Sequence, residues 1–130
     1  VIIDHNKIQS SQFVKKIIDL KNLKKKIETF GWFVERCSGH NFKKLNKVFN
    51  KFSTIKNKPK LLIADTIKGK GISFMEHTKV MRKQTNYTWH AGAPNDEDFS
   101  RAQEELIKKI KLKYNKVFLQ NQDLALLFKV

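Results

Sequence analysis

Apolar residues in this chain gather in short clusters separated by lysine-rich polar stretches, and the spacing inside each cluster predicts an element. "VIID" (Val1–Asp4) is a compact apolar run of strand length. After the polar turn "HNKIQSSQ", Leu20, Leu23, Ile27 and Phe30 recur at helical spacing, and Gly31 stands where a helix ends. "WFVERC" (Trp32–Cys37) predicts a second strand. "SGH" then turns the chain, Asn41 is placed to cap a helix, and Phe42, Leu45, Val48, Phe49 and Phe52 line one face of it. "NKP" ends that helix. "KLLIADT" (Lys60–Thr66) is nearly all apolar, as expected of a strand covered on both sides.

A long polar loop follows, and "APNDEDF" opens a last helix. Asn95 is its N-cap, Asp96, Glu97 and Asp98 suit the positive end of the macrodipole, and Lys108, Lys109, Lys111 and Lys113 suit the negative end. Phe99, Ala102, Leu106 and Ile110 form the expected buried stripe. The tail "LQNQDLALLFKV" reads equally as a short helix or a contact segment. Strand–helix–strand–helix–strand–loop–helix predicts an α/β fold, a partial parallel sheet flanked by helices. Ligands in such folds sit at the carboxyl ends of the strands. Here those ends are "DHNKI", "CSGHN" and "TIKGKG".

Composition narrows the function classes. The 130 residues suffice for one domain with a modest core, and 40% hydrophobic content with ten Phe argues against disorder. A net charge of +15 raises a nucleic-acid partner. However, the lysines lie between apolar positions, as on the wet side of amphipathic helices, and only three of the 27 basic residues are arginine. The bidentate forks that read base edges are therefore scarce. A solvated basic surface is the expectation, and a nucleic-acid partner is not. No apolar run reaches about 18 residues, which disfavours a membrane span. Cys37 is alone and no signal peptide is recognisable, so a cytoplasmic setting is expected. Val1 starts within an apolar run, which suggests that the chain begins inside a domain.

The candidate chemistry lies in the strand-end loops. In "TIKGKG" two glycines bracket Lys70 just after Lys68, which suits either a phosphate approached by backbone and lysine or a plain basic turn. The spacing is not that of a P-loop. His90 in "TWHAGAP" precedes a helix start, where it either meets a phosphate and moves a proton or is a surface loop residue. Asn6 is either a hard oxygen ligand for Mg²⁺ or a turn former. Cys37 reads as a small strand-end residue, without zinc-ligand spacing around it.

In order, "VIIDHNKIQ", "FGWFVERCSGHNFKKL", "KPKLLIADTIKGKGISFME" and "WHAGAPNDEDFSRAQEEL" resemble transketolases, particularly the N-terminal subunits of bacterial split transketolases. The resemblance runs from Val1 to about Leu106. It implies that residues 1–115 are the C-terminal part of a thiamine-diphosphate-binding domain, an incomplete copy of that fold, with 116–130 as a tail. It implies Mg²⁺ held by Asn6 and by the Ile8 carbonyl, Lys68 near the cofactor, and His90 at the diphosphate and reacting centre. His40 is a secondary candidate at the sugar-pocket rim. The implied activity is transfer of a two-carbon ketol unit between sugar phosphates. The implied partners are the remaining domains or subunit, within a dimer of complete enzymes. The charged metal ligand of the family's Gly-Asp-Gly motif falls upstream of Val1, so the fragment alone is expected to be inactive. Residues 78–88 lengthen the loop relative to many transketolases. Two alternatives remain: a related thiamine enzyme (deoxyxylulose-phosphate synthase-like, or acting on polysaccharide sugars), and a non-catalytic basic binding module.

Overall fold

The computed structural model describes residues 1–118. Its elements are β1 (Ile2–His5), β2 (Ile8–Gln9), β3 (Gln12–Phe13), α1 (Val14–Ile17), α2 (Leu23–Thr29), β4 (Phe33–Ser38), α3 (Phe42–Thr54), β5 (Lys60–Asp65), α4 (His77–Lys83) and α5 (Asp96–Phe118). The most apolar strand takes the middle of the sheet. The order is β1-β5-β4 and both pairings are parallel, which confirms the predicted α/β arrangement. No strand among the described residues covers the outer edge of β1 or of β4.

Alternation along β5 divides the core. Ile63 and Leu61 point to one face, where Val34, Ile3 and Trp32 join Leu23 and Ile27 of α2. Leu62 and Ala64 point to the other, against Val48, Leu45 and Phe52 of α3 and Cys37 of β4. Leu62 and Ile63 are both 0% exposed. Each such side chain contributes about 1.5–3 kcal/mol of burial. A third cluster lies apart from the sheet: Ile8, Val80 and Tyr87, with Phe13, Met81 and Trp89 around them.

The predicted helix caps form. Asn22 and Asn41 accept hydrogen bonds from the Lys25 and Lys44 amides, and Asn95 accepts one from Asp98. Three expectations need correction. The polar stretch after β1 holds β2 and the start of β3, which pair as a hairpin, α1 follows directly, and the long loop contains α4. Phe30 and Phe42, expected in helix faces, are 81% and 88% exposed. Phe99, Leu106 and Ile110, the expected buried stripe of α5, are also exposed. Polar ties hold α5 instead: Glu105 accepts from the Ser73 amide (2.9 and 3.0 Å) and hydroxyl (2.7 Å). Periodicity marks a face as apolar but cannot say what covers it. The expected boundary at residue 115 falls within α5, and residues 119–130 of the tail lie outside the described residues. No helix among the described residues is long and apolar enough to cross a membrane.

Candidate functional site

The three parallel strands end level with one another: His5 and Ser38 both stand opposite Asp65. An ion cluster ties these ends together. Arg36 donates to both oxygens of Asp65 (2.7 and 2.8 Å), and His5 Nδ1 lies 2.9 Å from Asp65 Oδ1. The Arg36 fork holds the Asp65 carboxyl at about 2, against partial burial, and His5 adds to the effect. Because the folded value is below the unfolded one, this contribution is complete above about pH 4 and disappears as pH falls towards 2. Asp65→Asn is expected to cost about 2 kcal/mol at pH 7 and to flatten that acid limb. Urea unfolding at pH 7 and pH 3 reads both effects.

Beyond β1 the chain turns on Asn6, whose Oδ1 accepts the Ile8 amide at 2.9 Å while Lys7 takes a φ of 68°. Such an Asx turn is what a short amide side chain provides. It delivers Ile8 into the third core cluster and leaves Asn6 half-buried. Asp4 lies beside it, 3.5 Å from Asn6 Nδ2 and bonded to the Thr66 hydroxyl.

Beyond β4, Gly39 lies so close to the end of β5 that a Cβ there would stand 2.5 Å from the Thr66 methyl. This approach lets His40 reach across, and its Nε2 accepts the Ile67 amide at 2.8 Å. His40 is thus a latch between two strand-end loops. Beyond β5, Lys68 and His77 hold each other twice. The Lys68 amide donates to His77 Nδ1 (3.0 Å), and the His77 amide donates to the Lys68 carbonyl (2.9 Å). His77 is only 4% exposed, so burial first and Lys7 second push its pKa below the ordinary value. The ring is neutral at pH 7, with its proton on Nε2 because Nδ1 is the acceptor. Glu76 is 8% exposed. Burial works against its ionisation, but Lys70 at 3.2 Å, the Gly71 amide and Lys79 outweigh that and hold its pKa low.

Tyr87 links this turn to the rest. Its hydroxyl donates to the Met75 carbonyl (2.9 Å), its amide donates to Ser11, and the Lys68 ammonium lies 5.7 Å above its ring centroid. Its ring packs with Ile8, and Trp89 packs against the same cluster. Ile8, Lys68 and residues 87–89 therefore meet around Tyr87. Asn6 joins them through its turn. His90 follows Trp89 directly, but it is exposed and its ring enters none of the hydrogen bonds among the described residues. Cys37 lies half-buried in the core and burial pushes its thiol up, in keeping with a structural role.

Sequence reasoning passed over Arg36, Asp65, His77, Glu76 and Tyr87. The only signal for Asp65 was its place at the end of the most apolar strand; for His77 it was proximity to the glycine turn. The rim offers one Asn6 carboxamide oxygen with a spare lone pair, backbone carbonyls and the Asp4 carboxylate beside Asn6, alongside the Lys68 cation. No group of three His, Cys, Asp or Glu among the described residues could hold a metal ion. A divalent cation here would draw on Asn6, carbonyl oxygen and at most the neighbouring Asp4 carboxylate, and take its remaining ligands from outside these residues.

No family model matches the chain. Individual proteins do. The chain is 31% identical over 84% of its length to one subunit of the apulose-4-phosphate transketolase of Phocaeicola vulgatus. It is 35% identical over 82% to the protein of the same description from Actinobacillus succinogenes. Over 56% of its length it is 36% identical to SqwG, a 6-deoxy-6-sulfo-D-fructose transketolase subunit of a Clostridium species. These matches cover 36%, 35% and 26% of the respective relatives, so the chain spans about a third or less of their length.

Proposed function

We propose, taking as premise that this chain is a relative of the transketolase subunits, that it forms part of a two-carbon ketol transferase acting on sugar phosphates. The observation that carries this reading is the level rim of three parallel strand ends, where Asn6, His40 and the Lys68 loop emerge together. A rim of that kind is where an open α/β sheet receives an anionic ligand. The names of three relatives add that their substrates carry a phosphate or a sulfo group.

In this reading the ligand is Mg²⁺–thiamine diphosphate, and the residues present fit part of it. Asn6 and the Ile8 carbonyl supply two hard oxygens to the cation, and Lys68 brings positive charge to the diphosphate. The missing charged metal ligand comes from the remaining domain or subunit. When bound, the cofactor supplies carbanion stabilisation for breaking and making a carbon–carbon bond. The chain's own groups do the rest. His77 fixes the backbone of Lys68 from both sides, so the loop meets its ligand without first ordering itself. His90, exposed and directly after the anchored Trp89, is the group that would hold or move a proton at the sugar oxygen and meet the diphosphate. His40 acts through the Ile67 latch as a positioning residue.

The test is reconstitution. With thiamine diphosphate, Mg²⁺ and a ketose phosphate donor, the 130 residues alone should give no transfer to an aldose phosphate. The chain joined to its remaining domain or subunit should give cofactor-dependent transfer. Turnover by the chain alone, or an assembly that never transfers a two-carbon unit, contradicts the proposal. The charge-based alternative, a nucleic-acid-binding module, predicts tight binding that weakens steeply with salt.

A further inference from the structure

A second cavity, apart from the strand-end rim, lies between α4, residues 84–89 and α5. Its volume is about 500 Å³. Four cationic side chains line it: Lys79, Arg82 and Lys83 from α4, and Arg101 from α5. Two of the chain's three arginines therefore share one hollow. Asp98 is the acidic residue in its wall, and it is engaged with Arg101 at 2.8 Å. Lys79 leans on Glu76 at 3.6 Å. Arg82 and Lys83 have no carboxylate at ion-pair distance among the described residues.

Favourable interaction with the α4 macrodipole accounts for Arg82 and Lys83 in the last turn of that helix. It does not account for Arg101, which a different helix brings to the same cavity. Nor does it account for the aromatic wall. Phe74 and Trp89 meet edge to face at 5.5 Å, and the Arg101 guanidinium stacks 4.4 Å above Phe74. A guanidinium held by a ring and a carboxylate is already oriented, so it loses little freedom when an anion arrives. Four cations against two carboxylates, Asp98 in the wall and Glu76 behind Lys79, leave a net positive field in a concave space. That space exceeds the needs of a bare ion and falls within the range of small-molecule sites.

We propose that this cavity binds a phosphate monoester on a small polyol, with Arg82 and Lys83 meeting the phosphate oxygens and Phe74 and Trp89 walling the carbon skeleton. The anion chemistry stands on the cavity itself; that the molecule is a sugar rests on the transferase reading above. Trp89 directly precedes His90, so a ligand seated here lies beside the chain segment that carries the proposed catalytic histidine. Residues 78–88 supply three of the four cations, which gives the segment that the resemblance reads as an insertion a role in substrate choice.

Ribose 5-phosphate and ribose serve as probes, titrated into the full chain by calorimetry. Saturable binding of the phosphorylated sugar and none of ribose is expected. Arg82→Gln with Lys83→Gln should raise its Kd about tenfold or more, the loss of roughly one charge-assisted contact. Lys24→Gln with Lys25→Gln, on α2 away from the cavity, should leave it unchanged. Equal weakening in both double variants means diffuse surface charge, and it overturns the proposal, as does absent saturation. In the reconstituted enzyme the first double variant should raise KM for a phosphorylated acceptor with kcat retained. Cavity-dependent binding without any ketol transfer refutes the transferase reading and leaves the site standing. Transfer with an unchanged KM and Kd refutes the site and leaves the transferase reading standing.

Discussion

Gly69→Ala should lower the stability of the chain by roughly 2–5 kcal/mol, the sum of left-handed backbone strain and overpacking. Gly69 has a φ of 77°, and a Cβ there would lie 2.2 Å from the Met75 carbonyl oxygen and 2.9 Å from the Tyr87 hydroxyl. Both neighbours belong to the joint that holds Lys68 in place, and the first is backbone, which cannot swing aside. The neighbouring Gly71 is the control. Its φ is 114°, but a Cβ there would meet nothing within 4 Å, so alanine carries strain alone, about 1–3 kcal/mol. Thermal unfolding followed by far-ultraviolet dichroism should therefore rank wild type above Gly71→Ala above Gly69→Ala. Equal losses would mean that the close approach to Met75 contributes nothing.

The second large effect concerns catalysis. In the reconstituted enzyme, His90→Ala should reduce kcat/KM by about 10²–10⁴, the usual contribution of a positioned acid–base group. Its stability should stay near wild type, because His90 is exposed and outside the core clusters. His77→Ala should show the opposite balance. It removes a buried ring that accepts the Lys68 amide, so loss of stability accompanies any loss of rate. Steady-state kinetics set beside urea midpoints separate the two cases. A His90→Ala enzyme with wild-type kinetics removes this residue from the mechanism.

Much of the frame was legible because it depends on local rules. The run Leu61–Ala64 could only be a strand buried on both faces, and it became the central one. Asn22, Asn41 and Asn95 cap helices because their side chains satisfy amides that the helix leaves free. Leu23, Ile27, Leu45, Val48 and Phe52 found their core faces by period alone. The rim was legible only as a location. Arg36 and Asp65 are 29 positions apart and His5 is 60 from Asp65, and nothing local signals a pairing over such separations. The short helix α4 carries its burial on His77 and Val80, two residues in a polar stretch that periodicity cannot register. The likeness to transketolases singled out Asn6, Lys68 and His90 but not His77, the residue that fixes one of them.

The flanks of β1 and β4, which no strand among the described residues covers, bear on how the chain behaves at high concentration. Free strand borders invite copies to join side by side. A charge of +15 keeps such copies apart through mutual repulsion. Dissolved salt shortens the reach of that repulsion from about 10 Å at 0.1 M to about 3 Å at 1 M. Brine, which safeguards many purified proteins, should therefore drive this one into clumps, and light scattering should rise with ionic strength.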